Sequence, residues 1–359
     1  MEGGALLGQG TFGCVFDPPL KCNEPRKNPR KFPIGKIGKP ADADAELDAA
    51  EALIGVPNSA TYFVLPDPDS RCIPQPVKSQ PDKRDMKQCK VIQRHGMNDM
   101  VHFVMPYGGI TIFNQFEKVK RKEGTFSLRA AVTRLLECGA QLALHGYVHY
   151  DISPKNILFD EKTGLPRLID FGMSFNAKGL TLNTIHERWK VYTPDYEVEP
   201  PEITLLTGLK KGMKMNTVIR DILKNKGVIK SASIHAGLSM QTQLRDFIEF
   251  LNTSKSMKEQ DLLEVFKYYW PTFDAWSIGY VILILLRHYI QIVHVTEDTS
   301  LFMLTKEVLR GLLSMSPRKR LDCVEALARF DPANASIATD AGKKWLEERA
   351  RIRGSSGSV

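Results

Sequence analysis

No C-x-x-C pair occurs in this chain of 359 residues: its six cysteines, at positions 14, 22, 72, 89, 138 and 323, stand singly. That spacing excludes a zinc ribbon. In a chain with room for a full hydrophobic core it also argues against a disulfide framework and for a reduced, cytoplasmic setting. Cys22, Cys72 and Cys89 all fall in the first third; the plain reading is buried or loop thiols, the alternative a shared metal. Met1-Glu2-Gly3-Gly4 has no basic and apolar lead-in, so no secretory signal is expected. Long apolar runs are missing too. The longest, Trp276 to Leu286, stops at Arg287, is too short to span a bilayer, and reads as a buried helix, so no membrane partner is expected. Basic residues interleaved with stacking aromatics along one face are also lacking, which argues against nucleic acid as a partner.

What is present is ordinary globular material, 43% hydrophobic and 25% charged, enough for one large or two small cores. The formal charge of +8 calls for an anionic partner, and a nucleotide would serve.

Two short segments carry chemistry. His149-Tyr150-Asp151-Ile152-Ser153-Pro154-Lys155-Asn156-Ile157-Leu158 is followed by Asp170-Phe171-Gly172, with an apolar strand beside each. An Asp opening a short loop can orient a hydroxyl nucleophile, an Asn five positions on can hold a metal ion, and a second Asp after a strand can hold metal between phosphates.

The first segment resembles the H-R-D-L-x-x-x-N loop of eukaryotic-type protein kinases, and the second matches their D-F-G element. The resemblance implies an α+β, bilobal protein kinase fold: a small β-rich N-lobe over 1–105 with one main helix, a hinge at 106–109, and a larger helical C-lobe over 110–332. An insertion at about 205–270 and a tail at 333–359, fraying after one short helix, complete the expected organisation. It implies ATP and Mg2+ as cofactors, Asp151 as the residue steering the acceptor proton, and Asn156 and Asp170 as magnesium ligands.

On the nucleotide side, Leu7-Gly8-Gln9-Gly10-Thr11-Phe12-Gly13 followed by Val15 has G-x-G-x-x-G spacing. A strand and then Asp17-Pro18-Pro19 follow it, so a dinucleotide-type helix cannot start there and a hairpin lid over phosphates is expected. Lys36 in Ile34-Gly35-Lys36-Ile37 is the lysine expected to grip phosphates, with Lys39 the competitor. Glu46 on a helix from 41 to 54 is its expected partner, with Glu51 the competitor. Met105, Pro106 and Gly108 resemble the hinge that meets adenine, and Leu158 lies at the end of the Asp151 loop.

On the acceptor side, Thr193-Pro194-Asp195-Tyr196 and Pro200-Pro201-Glu202 are similar to elements that close the activation segment of Ser/Thr kinases, so Thr193 is expected to bond Asp151. Two departures stand out. Tyr150 replaces the arginine that pairs with an activation-segment phosphate, so activity is expected not to need that phosphate. Ser153 replaces a lysine near the γ-phosphate, and Lys155 is the expected substitute. Asp274-Ala275-Trp276-Ser277-Ile278-Gly279 matches the start of a central buried helix whose Asp pins the catalytic loop, and Arg320 is the expected ion-pair partner of Glu202.

Residues 66–90, rich in Pro, Asp, Lys and Gln, read as a surface loop. The first half of the insertion is basic, with Lys210, Lys211, Lys214, Arg220, Lys224, Lys226 and Lys230. Helical apolar spacing recurs at 216–225, 241–252 and 258–269. A solvated helical elaboration is the expected reading, with docking of an acidic partner the alternative. The function implied is a monomeric protein kinase acting on serine and threonine hydroxyls; the alternative is an inactive nucleotide-binding scaffold. The stretch Phe12 to Cys22 looks like kinases of large DNA viruses, which would place the chain in a host cytoplasm or virion.

Overall fold

The computed structural model describes residues 5–10, 13–24, 32–80, 83–292 and 299–354. The chain divides into two compact units, Met1–Gly109 with Arg167–Ser174, and Ile110–Pro166 with Phe175–Val359.

The first unit is built on an antiparallel sheet of four strands in sequence order: β1 (Ala5–Gln9), β2 (Gly13–Asp17), β3 (Ile34–Gly38) and β4 (Val101–Met105). Lys36 sits opposite Val15 and Phe103 in register. Strand alternation sends neighbouring side chains to opposite faces. Ile34, Phe103 and Met105 pack with Ala43 and Leu47 of the helix Pro40–Leu53. Cys14, Phe16 and Ile37 pack on the other side with Met86, Cys89, Val91 and Ile92. That helix begins where proline costs nothing, with Pro40 in its first turn and Asp42 near its positive end. A side chain at Gly35 is impossible without rearrangement, because its Cβ would lie 2.3 Å from His102 Nε2 and 2.9 Å from Pro19 Cα.

Two expectations fail in this unit. Cysteines do pair, Cys14 with Cys89 and Cys22 with Cys72, each with Cα atoms 6.0 Å apart across sequence separations of 75 and 50. And the polar stretch 66–90 is not a loose loop: Met86 and Cys89 are fully buried, and Gln80 bridges to the main chain of Lys21 in both directions. Each such buried large apolar side chain contributes about 1.5–3 kcal/mol, and this is what draws the segment inward.

The second unit is mostly helical. The helix Leu128–His145 is capped by the Ser127 hydroxyl, which accepts from the Ala130 N–H, and ends at Gly146 with φ of 75°. The helix Phe273–Ile292 buries Trp276, Ile278, Val281, Ile282 and Leu285 together. By hydropathy the run Leu262–Gln291 is long and apolar enough to cross a membrane, contrary to the shorter reading of its sequence, but 83% of its most apolar window is buried inside the protein. Such burial is what a core helix requires.

The insertion forms helices Met215–Asn225, Gly227–Ala236, Met240–Thr253, Lys255–Glu259 and Leu262–Tyr269. It is not a solvated elaboration, for Val218, Ile222, Ile229, Phe247, Phe250, Val265 and Phe266 are all buried. Lys226, counted in its basic run, is itself 1% exposed. The short helix expected in the tail is present and runs Asp340–Gly354, fastened where Arg353 Nε lies 2.6 Å from Glu325 Oε1 and Trp345 donates to Asp322 at 3.0 Å; the stretch expected to fray after it lies outside the described residues.

Candidate active site

In the first unit β3 and the helix Pro40–Leu53 bring Lys36 and Glu46 together: Nζ lies 2.5 Å from Glu46 Oε2 and 3.0 Å from Asp170 Oδ1. The two competitors lie elsewhere, Lys39 at the exposed start of the helix and Glu51 exposed near its end. Asp170 has φ of 65°, a left-handed conformation that a carboxylate residue adopts only where its surroundings hold it. Phe171 supplies that hold, being fully buried and edge-on to Phe63 at 5.6 Å. Burial alone would lower the Lys36 pKa, but the Asp170 and Glu46 carboxylates more than reverse it, so the ammonium is held charged. Burial pushes Glu46 up to about 7 against the opposing pull of Lys36. Its Oε1 is buried with no hydrogen-bond partner. Lys36, Asp42, Glu46, Phe103 and Gly172 lie around one shallow surface depression.

The glycine-rich segment contributes to β1 and β2, which pair antiparallel. Gly8 faces Val15, Gln9 faces Cys14, and the Gly10 N–H donates to the Gly13 carbonyl at 2.9 Å. A Cβ at Gly13 would meet the Ile37 carbonyl at 2.3 Å, so this strand can approach β3 only as glycine. Leu7 is exposed; Thr11 and Phe12 lie outside the described residues. Met105 is buried at the end of β4, Pro106 follows, and the Gly108 carbonyl accepts from Arg167 at 2.8 Å.

In the second unit the Asp151 loop runs between the strands Tyr147–Val148 and Ile157–Phe159, with half-buried Leu158 facing Thr111. The Asp274 carboxylate accepts from the N–H groups of His149 at 2.7 Å and Tyr150 at 2.9 Å. This fixes the backbone just before Asp151, where Tyr150 is held at φ of 65°. Burial raises the pKa of Asp274, against the pull of His149 and of those two donors. The Tyr150 ring fills the place expected of an arginine with an aromatic cluster, 5.4 Å from Phe175 and 5.8 Å from Phe266. Asn156 Nδ2 donates to the Asp151 carbonyl at 2.8 Å and to its Oδ2 at 3.2 Å.

The expected Thr193 contact is absent. Its hydroxyl donates to the Val191 carbonyl at 3.0 Å, which turns it away from Asp151. Asp151 Oδ1 is instead hydrogen-bonded by the Tyr196 hydroxyl and lies 3.3 Å from Lys190 Nζ. Lys155, the expected substitute cation, is exposed. Sequence reasoning thus missed Lys190 and the role of Tyr196. Tyr196 stood inside the quoted T-P-D-Y element, but Lys190, 39 residues from Asp151, carried no spacing signal. Glu202 and Arg320, by contrast, meet as foreseen in a two-pronged contact at 2.7 and 2.8 Å, both fully buried.

Among the described residues one group has the spacing of metal ligands: Cys22, Cys72 and His102, with ligand atoms within 4.8 Å of one another. Cys89, the third cysteine of the sequence-based alternative, belongs to Cys14 instead. The Leu20 N–H donates to His102 Nε2 at 3.3 Å, which leaves the neutral ring its proton on Nδ1, the atom facing the sulfurs at 3.8 and 3.6 Å. A bonded sulfur pair and a protonated nitrogen are poor ligands, so the group does not suit a cation in this state.

No family model matches the chain. A stretch of 69 residues, 19% of the chain, is 42% identical to human Citron Rho-interacting kinase, and 76 residues are 38% identical to the rat protein of that name. A further 118 residues, 30% of the chain, are 31% identical to a probable cell division protein kinase of Encephalitozoon cuniculi. The alignments span 3%, 4% and 37% of those proteins, so the likeness covers a fraction of each. In these stretches the chain is similar to kinases, which supports a kinase-type phosphotransferase.

Proposed function

We propose that this chain is an ATP- and magnesium-dependent protein kinase that transfers the γ-phosphate to serine or threonine hydroxyls of protein substrates, with the bilobal fold of that family. The observation that carries this reading is Lys36, buried and clamped between Glu46 and Asp170, residues 10 and 134 positions away. Two carboxylates keep this buried lysine charged, and a charged lysine of this kind suits a phosphate. The donor set also fits Mg2+, which prefers carboxylate and amide oxygens. By the motifs they belong to, Asn156 and Asp170 are each assigned to Mg2+, which would neutralise charge on the phosphates. Asp151, braced by Asp274 through the backbone, orients the acceptor hydroxyl.

The exposed part of the basic insertion docks acidic segments of the protein substrate. Lys210 and Lys211 lie over the rings of Trp189 and Tyr192 at 5.4 and 5.8 Å, beside the segment that leads to Tyr196. The test is magnesium-dependent transfer from radiolabelled ATP to generic protein substrates. The wild type is expected to label them, and Asp170→Ala and Asp151→Asn are expected to fall to background. Binding of nucleotide without transfer, unchanged by Asp151→Asn, would favour the scaffold reading.

A further inference from the structure

We propose that Lys190 is the positioning lysine of the acceptor site, taking the role left open by Ser153. This inference rests on the kinase reading above and names a residue that the Asp151 loop does not contain. Four contacts within the second unit place it. Its Nζ donates to the Tyr150 carbonyl at 2.7 Å and lies 3.3 Å from Asp151 Oδ1. The same ammonium sits 4.6 Å from the centre of the Tyr150 ring and 5.1 Å from that of Tyr196. A carbonyl, a carboxylate and two aromatic faces are the partners a lysine ammonium needs to be held out of water, and its side chain is 13% exposed. The long, flexible stem of a surface lysine would not settle there without them.

The placement has a chemical consequence. Asp151 can orient an acceptor hydroxyl only while its carboxylate stays aimed, and three groups aim it. Asn156 takes Oδ2, and Tyr196 and Lys190 take Oδ1. Two of these are neutral. Among the described residues Lys190 is the one that brings positive charge to that carboxylate, and it ties the same charge to the backbone of Tyr150, one residue before it. A cation fixed where negative charge gathers needs no rearrangement during transfer. Lys155 lies closer in sequence but is exposed.

The experiment is steady-state kinetics on Lys190→Met, Lys190→Arg and Lys155→Met, with wild type and Asp151→Asn as limits and with circular dichroism melts of each. Lys190→Met is expected to lower kcat about 100-fold with the KM for ATP changed less than about threefold. Lys190→Arg, which keeps the charge, is expected to recover at least about tenfold of that loss. A purely structural lysine would lower kcat and melting temperature together and would not separate Met from Arg at equal folded fraction. Lys190→Met within about threefold of wild type overturns the proposal, and so does a loss of that size in Lys155→Met instead. No transfer by the wild type, with Asp151→Asn indistinguishable from it, overturns the kinase reading itself and this proposal with it.

Discussion

Glu202 and Arg320 show how far one pair of side chains can matter. Both are fully buried, joined by two parallel hydrogen bonds, and Arg320 also donates to the carbonyls of Ser314 and Met315 at 2.9 and 3.1 Å. The pair as a whole is weak evidence of net stability, because desolvating two charges offsets their attraction. Removing one partner is different, since the other is left buried and unmatched. Glu202→Ala is therefore expected to destabilise the protein by about 3–5 kcal/mol, measured by urea unfolding, and an apolar replacement of both residues to cost less. Tyr150 makes the opposite case. Its hydroxyl is buried without a hydrogen-bond partner, and burial drives its pKa well up. Tyr150→Phe keeps the aromatic cluster and removes only that oxygen, so unfolding is expected to show no loss, or a gain of about 1 kcal/mol.

At the scale of elements the insertion is a brace. The carboxylate of Glu197 accepts from the N–H groups of Gly227 and Val228 at 2.8 and 2.7 Å, capping the helix Gly227–Ala236 from outside. Lys226, at the entry to that helix, donates to the carbonyls of Tyr196 at 2.5 Å and Glu199 at 3.0 Å. Trp276 and Ser277 of the central helix bond the carbonyls of Glu197 and Val198 at 2.9 and 2.7 Å. The segment that presents the Tyr196 hydroxyl to Asp151 is thus held from two sides. Burial lowers the Lys226 pKa from 10.5 to about 8, with Glu199 and Glu197 pulling the other way. The unfolded chain keeps that proton up to about 10.5 while the folded chain releases it near 8. Between these limits unfolding takes up a proton, and stability rises with pH; below about 8 both states are protonated and the cost is constant. Relative to Lys226→Met, the wild type is expected to gain roughly 3 kcal/mol in all between pH 8 and 10.5, read from unfolding curves at a series of pH values.

For the molecule as a whole, both cross-links lie in the first unit and tie its early residues to the segment before β4. Cys14 on β2 is tied to Cys89, and Cys22 to Cys72, while Cys138 and Cys323 are buried thiols outside either disulfide. Thiol titration of the denatured, unreduced protein is expected to find two groups, and six after reduction. Replacing both Cys14 and Cys89 by serine is expected to cost about 2–4 kcal/mol, since a long loop is no longer closed in the unfolded chain.

Much of the site could be read from spacing because its residues belong to short runs whose local geometry is self-contained. Asp151 and Asn156 share one loop, Gly13 must be glycine to approach β3, and the apolar run after Asp274 has no face to turn to water. Those runs determined which side chains are proposed to bear the chemistry, and the periods of three to four determined most of the insertion's helices. Tertiary structure alone decided what crosses between runs. It brought Lys190 rather than Lys155 to Asp151, turned Thr193 away and Tyr196 toward it, paired the cysteines, and buried Lys226. The physical reason is common to all four. Each outcome depends on which side chains meet after long stretches of chain have packed, and neither hydropathy nor residue spacing encodes a meeting between segments 27 to 75 positions apart.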